Sequence, residues 1–288
     1  MGELDEPFPG TWAIAAGAVS AWELRKDFER VYPDVYVRKG VPLDARGRAL
    51  AVGHWAKGEG ILAGFSAAAM HGTRWLDAKP AEIVLPHRAR PPRGVRVYRD
   101  AIHADELCTL SGFRCTTPVR TAFDVARRLD FTEAVEVLDA LCNATKLAPK
   151  DIEHFTEVHP GLRGRSKVGV VLPYIDGGAE SVPETRTRLL LLEAGLPKPE
   201  TQIRITGPDG LTVARLDMGW RRWQVAVEYD GAHHWTDHDQ RAWDIDRNAV
   251  LESLGWTLIR VSATLLTTRP HTIISRVTRA LRAHNADY

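Results

Sequence analysis

The chain has 288 residues, 44% hydrophobic and 26% charged, with a formal net charge of +1; that suits two globular domains and excludes a global electrostatic hold on nucleic acid. No apolar run approaches the roughly 18 residues of a membrane span, and the acidic start "MGELDEPFPG" lacks the basic-then-apolar order of a secretory signal. Cys108, Cys115 and Cys142 form no CxxC pair, which argues against a zinc or disulfide framework and suits a reduced, cytoplasmic compartment.

In chain order, "FPGTWAIAAGAVSAWELRKDFERVYPDVYVRKG" comes first. It predicts a short apolar helix around Trp12 to Ala16, broken by Gly17. Ser20 starts a second helix, with Glu23 three residues on, which is a capping box. Leu24 and Phe28 share one face at i, i+4, while Arg25, Lys26 and Arg30 lie elsewhere. "DVYVRKG" follows as a strand with Arg38 and Lys39 at its tip. Helix, turn, helix and basic hairpin form a winged helix-turn-helix pattern, whose second helix would enter a major groove of DNA. The same pattern describes a small helical subdomain whose polar face is merely solvated.

A helix is expected from about Arg46 to Lys57, then a small-residue helix "FSAAAMHG" and two strands, "AEIVLP" and "VRVYR". The connector "HRARPPRG" carries Arg88, Arg90 and Arg93, and no acidic residue intervenes between Pro86 and Arg99. It reads either as a phosphate-contacting loop or as a solvated Pro-rich connector. Tyr36 to His103 holds 12 Lys+Arg against 5 Asp+Glu, whereas Phe123 to Pro160 holds 4 against 8, so the basic charge is local. "CTTPVRTAFDVARRLDFTEAVEVLDALCNAT" predicts two amphipathic helices, with Thr117 as cap and Pro118 at the first helical position. Asp176 to Pro183, "DGGAESVP", lacks any periodic pattern and marks a boundary. The expected organisation is a winged-helix-like region over residues 1–45, an α/β region over 46–175 and a C-terminal domain over 181–288.

That last domain predicts a helix opened at Ser181 and closed by Gly195, strands "TQIRIT", "LTVARLDMGW" and "WQVAVEYD", a long helix from about Asp239 to Leu254, strand "WTLIRVS" and a final helix near Pro270. The order α-β-β-β-α-β-α gives a mixed sheet flanked by helices. In "VAVEYDGAHHW", Glu228 and Asp230 point to one face, about 6.5–7 Å apart along the strand. Their repulsion is about 2–2.5 kcal/mol at an effective dielectric near 20, so a cation or water must offset it. A roughly symmetric hairpin, turning near Arg222 and Trp223, puts Asp217 opposite Glu228. Asp217, Glu228 and Asp230 would then converge on a hard divalent cation, Mg²⁺ or Mn²⁺. Alternatives stand beside this. Ser181 and Glu184 have capping-box spacing, and Asp217 and Asp230 are also common turn residues.

"SVPETRTRLLLLEAGLPKPETQ", "DMGW", "VEYDGAHHW" and "DIDRNAVLESLGWTLIRVS" resemble a bacterial domain of unknown function related to the very-short-patch-repair (Vsr-like) endonucleases, in the PD-(D/E)XK superfamily. The resemblance covers roughly Ser181 to Leu266. It implies metal-dependent phosphodiester hydrolysis. By position, Glu184 corresponds to the first-helix acidic residue, Asp217 to the metal-binding Asp and Glu228 to the acidic member of the (D/E)XK pair. The superfamily's Lys is replaced here by Asp230. His234, with His233 second, corresponds to the general base that the resemblance implies, a role suited to an imidazole. Asp244 and Arg247 match a "D-x-x-R" pattern, where Arg247 would contact phosphate or pair with a carboxylate.

"FSAAAMHG", the strand pair after it and "CTTPVRTAFDVARRL" resemble the abortive-infection type IV antitoxin (AbiEi-like) domain, over roughly Phe8 to Asn143. This implies recognition of DNA or a partner such as a toxin or repair protein. Together these readings predict a DNA-directed endonuclease. The alternative is a non-catalytic DNA-binding regulator or antitoxin-like protein with a degenerate nuclease fold. A third is a structural interaction module that does not bind DNA.

Overall fold

A computed structural model describes residues 4–207, 210–231 and 247–287. The chain divides into two compact units, Met1–Gly177 and Gly178–Tyr288. Among the described residues no helix is long and apolar enough to cross a membrane.

The first unit opens with strand β1 (Phe8–Pro9), helices Gly10–Ala15 and Ala21–Asp27, and strands β2 (Phe28–Tyr32) and β3 (Val35–Arg38). The strands form an antiparallel sheet in the order β1-β3-β2. The capping box forms: Ser20 Oγ accepts from the Glu23 N–H at 3.1 Å, and Glu23 Oε2 accepts from the Ser20 N–H at 2.8 Å. Phe8, Ala13, Val19, Leu24 and Phe28 make the core beneath. The hairpin tip is Pro33–Asp34, with Asp34 in the left-handed region at φ 60°. Arg38 therefore ends β3 and Lys39 follows it, at the tip of the strand as expected, which is the end of the hairpin away from its turn. The Pro-Asp turn falls at the very start of "DVYVRKG", with Asp34 as its first residue.

The rest of this unit is an α/β body. Strands β4 (Ile61–Leu62), β5 (Ala81–Val84), β6 (Val95–Tyr98), β7 (Leu107–Leu110) and β8 (Phe113–Thr116) form a mixed sheet in the order β6-β5-β4-β8-β7. The two strands read from sequence, β5 and β6, pair in parallel. A parallel pair normally needs a crossover of a dozen or more residues; here residues 85–94 make it, without a helix. Helices Ala45–Trp55, Gly64–Met70, Pro118–Arg128, Phe131–Thr145, Pro149–Val158 and Arg165–Val171 complete the body. Thr117 caps the third of these through the Arg120 N–H at 3.4 Å.

That helix also carries a buried ion network. The Arg120 side chain is fully enclosed and pairs with Glu106 at 2.6 Å and Asp124 at 3.2 Å. Arg127 bridges Asp124 and Asp100, each at 2.7 Å. Arg128 pairs with Asp100 and lies 3.8 Å over the Tyr98 ring. Removing one member of such a set leaves another charge buried without its partner.

The second unit runs from helix Val182–Glu193 through strands β9 (Glu200–Thr206), β10 (Thr212–Trp220) and β11 (Val225–Asp230) to a helical stretch at 247–253. Strand β12 (Thr257–Ser262) and helices Ala263–Thr268 and Pro270–Ala283 follow. The sheet order is β12-β11-β10-β9, antiparallel except for the β11–β12 pair. Helix Ala263–Thr268 adds one element to the expected α-β-β-β-α-β-α order. Helix Pro270–Ala283 buries Ile273, Val277 and Leu281, four residues apart, in a cluster with Val225, Val227 and Leu191. Ala226, Ile203 and Leu216 belong to a second cluster with Leu251. Along β11, Val225 and Val227 thus feed one apolar layer and Ala226 the other, as the pleat requires.

Candidate active site

The hairpin between β10 and β11 pairs Met218 with Val227, Gly219 with Ala226 and Trp220 with Val225. The same register carries Asp217 to Glu228, as the symmetric hairpin predicts. The turn is a short 3₁₀ segment, Arg221–Trp223, closed by Gln224 at φ 50°. Gly219 has no room for a side chain, since a Cβ would lie 2.4 Å from the Val225 carbonyl oxygen.

Strand β10 loses its alternation at Asp217. Leu216 clusters with Ile203 and Leu251, whereas Met218 clusters with Val227 and Ile273. On the neighbouring strand, Gln202 stands between the pairs Leu216–Ile203 and Met218–Thr201 and takes φ 52°. A non-glycine residue in that region is uncommon and marks a locally forced backbone. Here it accompanies a hydrogen bond from Gln202 Nε2 to Glu184 Oε2 at 3.3 Å. Gln202 had no signal in the sequence, because nothing in an alternating strand announces a positive φ.

Glu184 is buried and works first as a helix-start residue. Ser181 Oγ accepts from the Glu184 N–H at 3.3 Å and donates to Glu184 Oε1 at 2.7 Å. Its other oxygen accepts from the Glu180 N–H at 2.9 Å. The carboxylate thus reaches the residue before the cap rather than the cap's own N–H, a variant of the expected capping box. Burial pushes the Glu184 carboxyl up, against the lowering pull of the Glu180 N–H and the Ser181 hydroxyl.

Asp217 is the most perturbed carboxyl of the unit's described residues. Burial, the Glu184 charge and the Glu228 charge push it up to about 7, although its Oδ2 accepts from the Tyr229 N–H at 2.8 Å. Glu228 is clasped at both oxygens by Arg247, with Nη1 at 3.1 Å from Oε2 and Nη2 against Oε1. Of the two sequence alternatives for Arg247, the carboxylate pair is the one present. The acidic neighbours that push Asp217 up are Glu184 and Glu228. Asp230 ends β11 beside Ser262 of β12, two residues beyond Glu228. Among the described residues no three His, Cys, Asp or Glu side chains stand together as an ion cage. His233, His234 and Asp244 lie outside the described residues, as does the first half of the helix expected from Asp239 to Leu254.

The donor set still suits a hard divalent cation. Asp217 and Glu228 offer oxygen ligands only, and a magnesium-type site typically takes one or two carboxylates and completes its shell with water or phosphate. Arg247 already neutralises one of them.

The basic residues of the first unit divide in two. Arg88, Arg90 and Arg93 are exposed in the β5–β6 connector, and Arg25 is exposed on helix Ala21–Asp27. Lys26 lies 4.5 Å over the Trp22 ring. Lys39 instead donates to the carbonyls of Arg25 and Lys26 at 3.0 and 2.6 Å, where a cation suits the helix C-terminus. Arg38 pairs with Asp5 at 3.4 Å and lies 5.3 Å over the Phe28 ring. Lys39 and Arg38 therefore brace the hairpin, a task the sequence pattern did not disclose.

Comparison with known proteins agrees with this two-part layout. Residues 60–174 match the family described as AbiEi antitoxin C-terminal domain. Residues 200–281 match the restriction-endonuclease-like family REase_MTES_1575. Two Mycobacterium tuberculosis proteins are 30% identical over 253 residues, which is 88% of this chain and 92% of each relative. They are "Uncharacterized protein MT2308" of strain CDC 1551 / Oshkosh and "Uncharacterized protein Rv2248" of strain ATCC 25618 / H37Rv.

Proposed function

The chain belongs to the same family as these two mycobacterial proteins, and on that premise we propose that it is a DNA-directed, metal-dependent endonuclease of Vsr-like type. The observation that carries the proposal is the β10–β11 register, which beyond Met218–Val227 continues to Asp217 and Glu228, with the Asp217 carboxyl pushed up to about 7 by burial, Glu184 and Glu228. Carboxylates crowded in this way are common where chemistry is done.

Asp217 and Glu228 would hold Mg²⁺ or Mn²⁺. When bound, such an ion lowers the pKa of its water and steadies charge on a phosphate. The Glu184 charge helps push the Asp217 carboxyl up, and Glu184 fixes the start of helix Val182–Glu193. Asp230 assists at the end of β11, and His234 takes a proton from the attacking water. Arg25 and Lys26, with Arg88, Arg90 and Arg93, contact phosphates and hold the DNA in place. The first unit would also receive a partner protein, such as a toxin.

The regulator reading draws on a different observation: Glu228 is already saturated by Arg247, and Asp230 stands where the superfamily has Lys. Cleavage of single-stranded, duplex and mismatched DNA with Mg²⁺, Mn²⁺ or EDTA separates the two. Metal-dependent cutting by the wild type and its loss in Glu228→Ala is the expected result. Tight binding without cutting by the wild type would establish the regulator instead.

A further inference from the structure

Arg247 meets Glu228 through two nitrogens, a two-point grip in which a planar guanidinium matches a carboxylate. The partners are 10% and 14% exposed, so water replaces neither readily. The same guanidinium reaches the Arg215 carbonyl at 3.4 Å, on the strand that carries Asp217. A guanidinium fork fits a phosphate as well as a carboxylate. It cannot occupy both Glu228 oxygens while a divalent cation uses them.

We propose that Arg247 is an exchangeable counter-ion: it holds Glu228 when no divalent cation is bound, and turns to a nucleic-acid phosphate when one is. This rests on the nuclease reading of the Asp217–Glu228 pair. The consequence is reciprocal coupling. Cation and nucleic acid each tighten the binding of the other by the same factor, because each relieves Arg247 of a competing partner. Arg247 thereby keeps the free protein poorly loaded and favours loading on DNA.

Two binding measurements on the full chain test this, neither of which reads cleavage. The first is Mn²⁺ affinity by isothermal titration for wild type, Arg247→Ala and Arg247→Gln. Removal of the guanidinium is expected to tighten Mn²⁺ about tenfold, within the usual span of coupling between sites. The glutamine variant, which keeps an N–H for Glu228, supplies the comparison if the alanine variant fails to fold. The second is the affinity for a labelled duplex by anisotropy, with and without Ca²⁺, the duplex being checked as intact. Ca²⁺ is expected to tighten duplex binding in wild type and to lose that effect in the variants. Mn²⁺ binding equal to or weaker than wild type in folded variants would make Arg247 a structural brace and overturn the exchange. Absence of Mn²⁺ binding in every folded chain would overturn the metal reading itself, and this inference with it.

Discussion

Replacing Asp217 by asparagine tests the crowding at the hairpin without cutting DNA. Asparagine keeps an oxygen to accept the Tyr229 N–H, the bond that Asp217 makes at 2.8 Å, and removes the titration. The wild-type carboxyl is pushed from 3.8 to about 7, chiefly by burial and then by Glu184 and Glu228. At about 1.4 kcal/mol per unit the whole shift would correspond to about 4 kcal/mol. The side chain is only partly buried, so solvent screening reduces the expected effect to about 1–2 kcal/mol. The sign follows from linkage. Between about pH 4 and pH 7 the folded chain keeps a proton that the unfolded chain has released, so this group's contribution to stability falls as pH rises through that window. The asparagine variant therefore gains on the wild type across the window and holds that gain above it. Urea unfolding of both chains at pH 4.5, 6 and 7.5 in EDTA measures the difference. With two units in the chain, the transition that moves with the substitution reports the second one. A stability difference that stays flat from pH 4.5 to 7.5 would refute the crowding argument.

Other expected outcomes concern the first unit. Arg120→Ala takes the arginine from buried Glu106 and leaves Asp124 to Arg127 and Arg128, and is expected to cost about 3 kcal/mol, read as a fall in Tm by calorimetry; a change below about 1 kcal/mol would show the network to be expendable. At Gly64→Ala the new Cβ would fall 1.8 Å from Glu82 Oε2 at a backbone φ of +49°, so a loss of about 2 kcal/mol or more is expected. Gly17→Ala, also at positive φ but in open space, should lose only about 1 kcal/mol. Replacing Arg88, Arg90 and Arg93 together by alanine should flatten the dependence of log duplex affinity on log salt by up to about 3. An unchanged slope would make the connector a bystander.

The hairpin that brings Asp217 to Glu228 was legible because local spacing determines it: the turn falls near the middle of the 217–228 interval. Helix starts were legible for the same reason, since Ser20, Thr117 and Ser181 each act within three residues of themselves. What escaped lies farther apart in the chain. Strand β4 is two residues long, and β7 ("LCTL") and β8 ("FRCT") lack the Val and Ile that marked the equally short β5 and β6. Lys39 is committed to a helix end 13 residues away, and Arg247 to a carboxylate 19 residues away. Neither pairing leaves a periodic trace, so charge patterning gave Lys39 to phosphate, and the sequence left Arg247 open between phosphate and a carboxylate. The positive φ at Gln202 was illegible for a different reason: it accompanies a bond to Glu184, 18 residues away, rather than a preference of the residue itself.

The mixed sheet of the second unit has a consequence for the order of assembly. Strands β9, β10 and β11 are neighbours in sequence and pair antiparallel, so they close small loops. Strand β12 must return in parallel across residues 231–256, and such non-local pairing carries a larger entropic delay. Asp217 and Glu228 are thus brought together by the early meander, while Arg247 rides on the late return. A nascent chain emerging from the ribosome passes through the same sequence of events, with its acidic pair assembled before its guanidinium clasp is made.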